Sequence, residues 1–160
     1  MRAWMAVVAA AWALGSAGAA YAAEPQPARE YISAAEVAAL QAKAKAERKD
    51  GQPLIAQRLL TQGPFAANLE YRASVGTAAV HEKDAELFYI LEGSGTFVTG
   101  GKLTGETRPN PTNLTGTGIE GGVSRKVSKG DVLLIPENTP HWWSAIDQVV
   151  VLMSMHLPRG

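Results

Sequence analysis

Cysteine is absent from the 160 residues, so no disulfide can brace this chain. A chain of this length can still bury enough apolar surface to fold around one core. An excess of charge is missing as well, since 15 basic residues face 15 acidic ones. No basic stripe stands out, which argues against a nucleic-acid partner. Neither an internal repeat nor a second domain is visible. A membrane-spanning run is lacking: the apolar stretch Ala3 to Leu14 falls short of the roughly 20 residues that cross a bilayer. Histidine is scarce, with three in the chain, so the placing of each one is informative.

What is present divides the chain in three. Arg2, the apolar stretch, the loosening residues Gly15, Ser16 and Gly18, and the small-x-small site Ala20-Tyr21-Ala22 read as a secretory signal peptide over residues 1–22. The protein is then expected in the periplasm of a bacterium or secreted, without stable membrane insertion once the signal is cleaved. Residues 23–53 form a polar lead-in and a helix. Ser33 and Glu36 have capping-box spacing, Val37 to Lys49 is rich in helix formers, and Asp50-Gly51-Gln52-Pro53 stops it. Residues 54–160 read as all-β. Short strands are predicted over 54–61, 66–75, 78–81, 86–91, 95–99, 123–127, 132–135, 141–145 and 149–155, punctuated by Gly, Pro and Asn. The segment Gly100 to Gly122, rich in Gly, Thr, Asn and Pro, is expected to be a long loop or an irregular hairpin.

Two segments carry chemistry. In the first, His81 and Glu86 lie five residues apart across a turn. Alternation on the following strand puts Glu86 on one face with Phe88 and Ile90, and Leu87, Tyr89 and Leu91 on the other. Both faces are apolar, so one should fill a barrel and the other should meet a second sheet or a partner subunit. A carboxylate there is costly unless paired or bound to a cation. The second segment runs from Gly130 through Pro136 to His141. If the two segments pair, His81, Glu86 and His141 converge into two imidazoles and a carboxylate with open coordination positions. That set suits iron, manganese, nickel or zinc. The competing reading is a pair of barrel histidines hydrogen-bonded to each other or to Glu86 without metal, with Glu86 as a candidate general base. Phe88, Trp143 and Met153 are candidates to line a ligand pocket, with simple core packing as the alternative. Arg72 is either an exposed strand residue or an anion-binding group in the barrel. His156, beyond the last predicted strand, is expected at the surface.

These motifs resemble the cupin superfamily of double-stranded β-helix (jelly-roll) barrels. His81, Glu86 and Gly93 match the second histidine, the glutamate and the glycine of its first motif. Gly130, Pro136 and His141 match its second motif in register. The resemblance spans roughly Leu54 to Met155. Ala79 stands where the first motif has another histidine, Asn138 replaces a glycine, and Ala145 replaces an asparagine. The resemblance implies a divalent metal at His81, Glu86 and His141, a small-molecule ligand in the barrel, and a homodimer made through edge strands. Metal-dependent oxygenase or isomerase activity would fit. The loss of a ligand at Ala79 leaves open a metal-free barrel that binds or senses a small ligand without turnover.

Overall fold

The computed structural model describes residues 27–159. The predicted signal peptide lies outside them. No helix among the described residues is long and apolar enough to cross a membrane.

Helix α1 spans Ala34–Glu47 and begins on the expected capping box. The Ser33 hydroxyl accepts from the Glu36 backbone N–H, and the Glu36 carboxylate accepts from the Ser33 N–H. The helix is narrowly apolar, so packing rather than propensity holds it in place. Its Ala44 is fully buried, and Val37 and Leu40 pack on the same cluster.

Eleven strands follow: β1 (Leu54–Gln62), β2 (Phe65–Arg72), β3 (Ala78–His81), β4 (Asp84–Thr99), β5 (Lys102–Thr104), β6 (Thr107–Asn110), β7 (Asn113–Gly116), β8 (Gly118–Glu120), β9 (Val123–Ser128), β10 (Val132–Ile135) and β11 (His141–Pro158). All pairings are antiparallel. The strands β1-β2-β11-β3-β7-β6 form one path, β4 joins β11 to β9 and β10, and β5 and β8 make a small separate sheet.

Two predicted breaks are absent. Strand β4 is continuous through Gly93-Ser94-Gly95, where the sequence predicts a turn between strands 86–91 and 95–99, and β11 is continuous through 146–148. The two long strands pair along their lengths but slip register between Trp143 and Leu152, opposite Ile90 to Phe97. Irregular pairing of this kind bends a strand without ending it, so each long strand serves two parts of the barrel wall. The segment Gly100 to Gly122, expected as a long loop or an irregular hairpin, takes the second form. Its residues supply β5 to β8, and β7 extends the main sheet by pairing with β3.

The chain buries apolar residues in two clusters on opposite sides of β11. Even-numbered Val150 and Leu152 point into the barrel with Phe88, Ile90, Phe97 and Trp143. Odd-numbered Val151, Met153 and Met155 point outward, where Leu69, Tyr71 and helix α1 cover them.

Candidate metal centre and ligand cavity

Glu86 sits on the inward face of β4 beside Phe88 and is 3% exposed. All three histidines of the chain turn Nε2 toward this carboxylate. His81 Nε2 lies 3.5 Å and His141 Nε2 3.3 Å from Oε2, while His156 Nε2 lies 3.5 Å from Oε1. Strand pairing produces the convergence. His141 is the register partner of Ala79 on β3, two residues from His81, and His156 is the register partner of Glu86 itself. The turn of the second motif docks on the first, because the Asn138 N–H donates to the His81 carbonyl at 2.7 Å. Asn138 adopts φ 56°, the left-handed conformation that asparagine tolerates where the motif has glycine.

The far nitrogens are also held. His141 Nδ1 lies 3.0 Å from the Thr139 carbonyl oxygen, and His81 Nδ1 lies 2.8 Å from Asn113 Oδ1. Both partners accept, so Nδ1 carries the proton and a neutral ring turns its Nε2 lone pair toward Glu86. His156 Nδ1 faces Asp84 Oδ2 at 3.8 Å. Lone pairs aimed at a carboxylate repel it unless a positive charge lies among them. Burial pushes the Glu86 pKa up, but His141 and His81 outweigh burial and hold it at about 2. Burial opposes charge on His81, yet Glu86 and Asn113 outweigh that and raise its pKa.

The donor set fits a metal ion. The ligand atoms of His81, Glu86 and His156 lie within 4.8 Å of one another. Donors placed ~2.1 Å from one ion at tetrahedral to octahedral angles stand about 3.0–3.4 Å apart; the carboxylate–imidazole distances of 3.3–3.5 Å match this, while the wider separations, within 4.8 Å, would have to close on the ion. A charge-assisted hydrogen bond would be shorter, at roughly 2.7–2.9 Å. Fixing Nδ1 through an acceptor is the usual outer support of a histidine ligand.

The cluster opens into a cavity of about 300 Å³. Ala79, Trp143, Glu70 and Arg72 line it together with the four cluster residues. Trp143 takes the inward position expected for it, and its buried indole N–H meets no acceptor among the described residues. Phe88 is not part of this lining. It is buried in the core, with its ring 6.4 Å from that of His141. Met153 is placed elsewhere as well: its odd position on β11 turns it outward against the helix-covered cluster. His156, expected at the surface, is instead drawn into the site. The alternation Val150, Leu152, Ser154, His156 is the signal that marks its inward side, but apolar residues on both faces of β11 conceal it. Asn113 lies in the segment expected as a long loop or an irregular hairpin, where no pattern assigns it a partner.

The Cupin family model matches residues 57–157, well over half of the chain. The chain belongs to the cupin family. No curated protein matches it. Solved structures with the same fold include BH2720 from Bacillus halodurans, at 15% identity and a TM-score of 0.52, with 82% of this chain and 83% of that one covered. Another is FeII HppE, at 13% identity and a TM-score of 0.50, with 66% of this chain and 52% of that one covered. KdgF from Halomonas is more distant in shape, at 16% identity and a TM-score of 0.47, with 71% and 87% covered.

Proposed function

We propose that this cupin is an exported protein that binds a divalent metal ion through Glu86 and the imidazoles of His81, His141 and His156, and holds a small molecule beside it. One observation carries the reading: three imidazole Nε2 atoms face a single buried carboxylate. His156 offsets the ligand missing at Ala79, and Ala79 leaves room for a ligand beside His141. When bound, the metal would polarise a ligand oxygen, and as iron(II) held by Glu86 and these histidines it would also support dioxygen chemistry. An oxygenase or an isomerase therefore fits the site. FeII HppE, similar in fold alone, is by its name an iron(II) protein. Glu86 anchors the ion, Asn113 and Thr139 hold two ring orientations, and Trp143 in the lining, with the core rings of Phe88 and Phe97 packed near His141, keeps water from that side.

A homodimer completes the proposal. Tyr89, Val132 and Leu134 are 40%, 61% and 63% exposed, and Tyr89 and Val132 are register partners on adjoining strands. This apolar strip lies on the outer face of β4 and β10, suited to a second copy.

Elemental analysis of protein purified from its native compartment tests the metal. Stoichiometric metal in the parent, lost in His81→Ala and His141→Ala, supports the site. A parent protein that takes up none of iron, manganese, nickel or zinc after gentle purification leaves the metal-free binding barrel as the standing interpretation.

A further inference from the structure

The cavity contains a second charged element that the metal cluster does not use. Glu70 and Arg72 are two residues apart on β2, so both side chains leave the same face of the strand. Their register partners on β11 are Leu152 and Val150, the inward residues of that strand. Both side chains line the cavity shared with His81, Glu86, His141 and His156. They are largely withdrawn from solvent, at 17% exposure for Arg72 and 9% for Glu70.

The way they pair matters. Arg72 Nε and Nη2 converge on one oxygen, Glu70 Oε2, at 2.7 and 2.6 Å. A guanidinium has five N–H donors arranged along two usable edges. Glu70 occupies the Nε edge and fixes the plane of the group. Among the described residues, no other side chain or backbone acceptor bonds to Arg72, so its Nη1–Nη2 edge is available for bidentate binding of a carboxylate.

Charge narrows the ligand further. Glu70 and Arg72 cancel. Counting the residues that line the cavity, a divalent ion on Glu86 with neutral imidazoles would leave one net positive charge, which a singly charged anion neutralises; Asp84, part-exposed behind His156 and outside the lining, reduces any further demand for negative charge. A dianion would leave the excess uncompensated in a place where unpaired charge is costly.

We propose that the cavity selects a small monocarboxylate, anchored on the Nη1–Nη2 edge of Arg72 with its remaining polar end facing the Glu86–histidine cluster. The charge argument rests on the proposed metal; the anchor rests on Arg72 alone.

Ligand-observed NMR titration of the mature protein, metal-free and zinc-loaded, tests this with propionate and lactate against propionamide and lactamide. Each carboxylate should bind at least tenfold more tightly than its amide. Arg72→Gln alone strands a buried Glu70 and endangers the fold, so the decisive variant is Glu70→Gln with Arg72→Gln, which removes both charges together. That variant should lose the preference, while Glu70→Gln alone should keep it. Equal binding of acid and amide by the zinc-loaded parent overturns the inference and leaves the metal site standing. A preference that survives in the double variant places the carboxylate elsewhere and also overturns it. A preference kept by metal-free protein and lost in the double variant supports the anchor even if the metal reading fails.

Discussion

Glu86 and His156 face each other as register partners on β4 and β11, with Nε2 of the imidazole 3.5 Å from Oε1, while His81 and His141 approach Oε2. The carboxylate is thus addressed on both oxygens. This arrangement makes His156→Ala a sharp variant. The ring is 29% exposed, so its loss should leave the fold intact. Metal affinity should fall by at least about tenfold, on the scale seen for disrupted metal sites. Competition against a chelator measures it, and an unchanged affinity would remove His156 from the site.

The two motifs and the barrel were legible because their residues are fixed by local geometry. Gly93, Gly130 and Asn138 all adopt positive φ, and the histidine and carboxylate positions follow from strand parity. What was hidden depended on pairing across the fold. Nothing near His156 in sequence indicates that β11 carries it opposite Glu86, 70 residues earlier. Asn113 was obscured for the same reason, since its segment lacks the apolar alternation that announces a strand and is ordered by pairing with β3. Gly93-Ser94-Gly95 resembled a turn because a bend inside a long strand uses the same residues as a true reversal.

Asn113 should act as a positioning residue for His81. Its Oδ1 holds the Nδ1 proton at 2.8 Å and leaves Nε2 directed at Glu86. Asn113→Ala should weaken metal binding by about 10–100-fold. Asn113→Asp retains an acceptor and should recover most of that loss. Equal defects in the two variants would show that the side chain matters for packing and not for holding the ring.

The metal-free protein should be most stable in mildly acidic solution. Glu86 is held at about 2 against an ordinary 4.5, so its contribution is complete above 4.5 and disappears as pH falls toward 2. For so buried a group this amounts to roughly 3 kcal/mol. His81 is raised above its ordinary 6.5, so its contribution is complete below 6.5 and is lost as pH rises through the higher folded value. Melting temperatures of metal-free protein should therefore peak between 4.5 and 6.5. Bound zinc should abolish the alkaline decline, because the ion replaces the proton on His81. A metal-free melting temperature that climbs steadily above neutrality would contradict this coupling.

The two motif glycines should differ in cost when replaced, although both have positive φ. Gly130 has φ +93°, and a Cβ added there meets nothing within 4 Å. Gly130→Ala should therefore carry only the backbone penalty of a left-handed residue, roughly 1–2 kcal/mol. Gly93 has φ +81°, and a Cβ there would stand 1.9 Å from the Val149 carbonyl oxygen. That oxygen belongs to the region of β11 where register slips against β4, so relief requires moving one long strand off the other. Gly93→Ala should cost about 2 kcal/mol more than Gly130→Ala, in the range of overpacked interiors. Urea denaturation of the two variants beside the parent protein separates the effects. Equal midpoints would mean that Gly93 serves only its backbone angle, and that the close approach of β11 to β4 does not constrain the barrel.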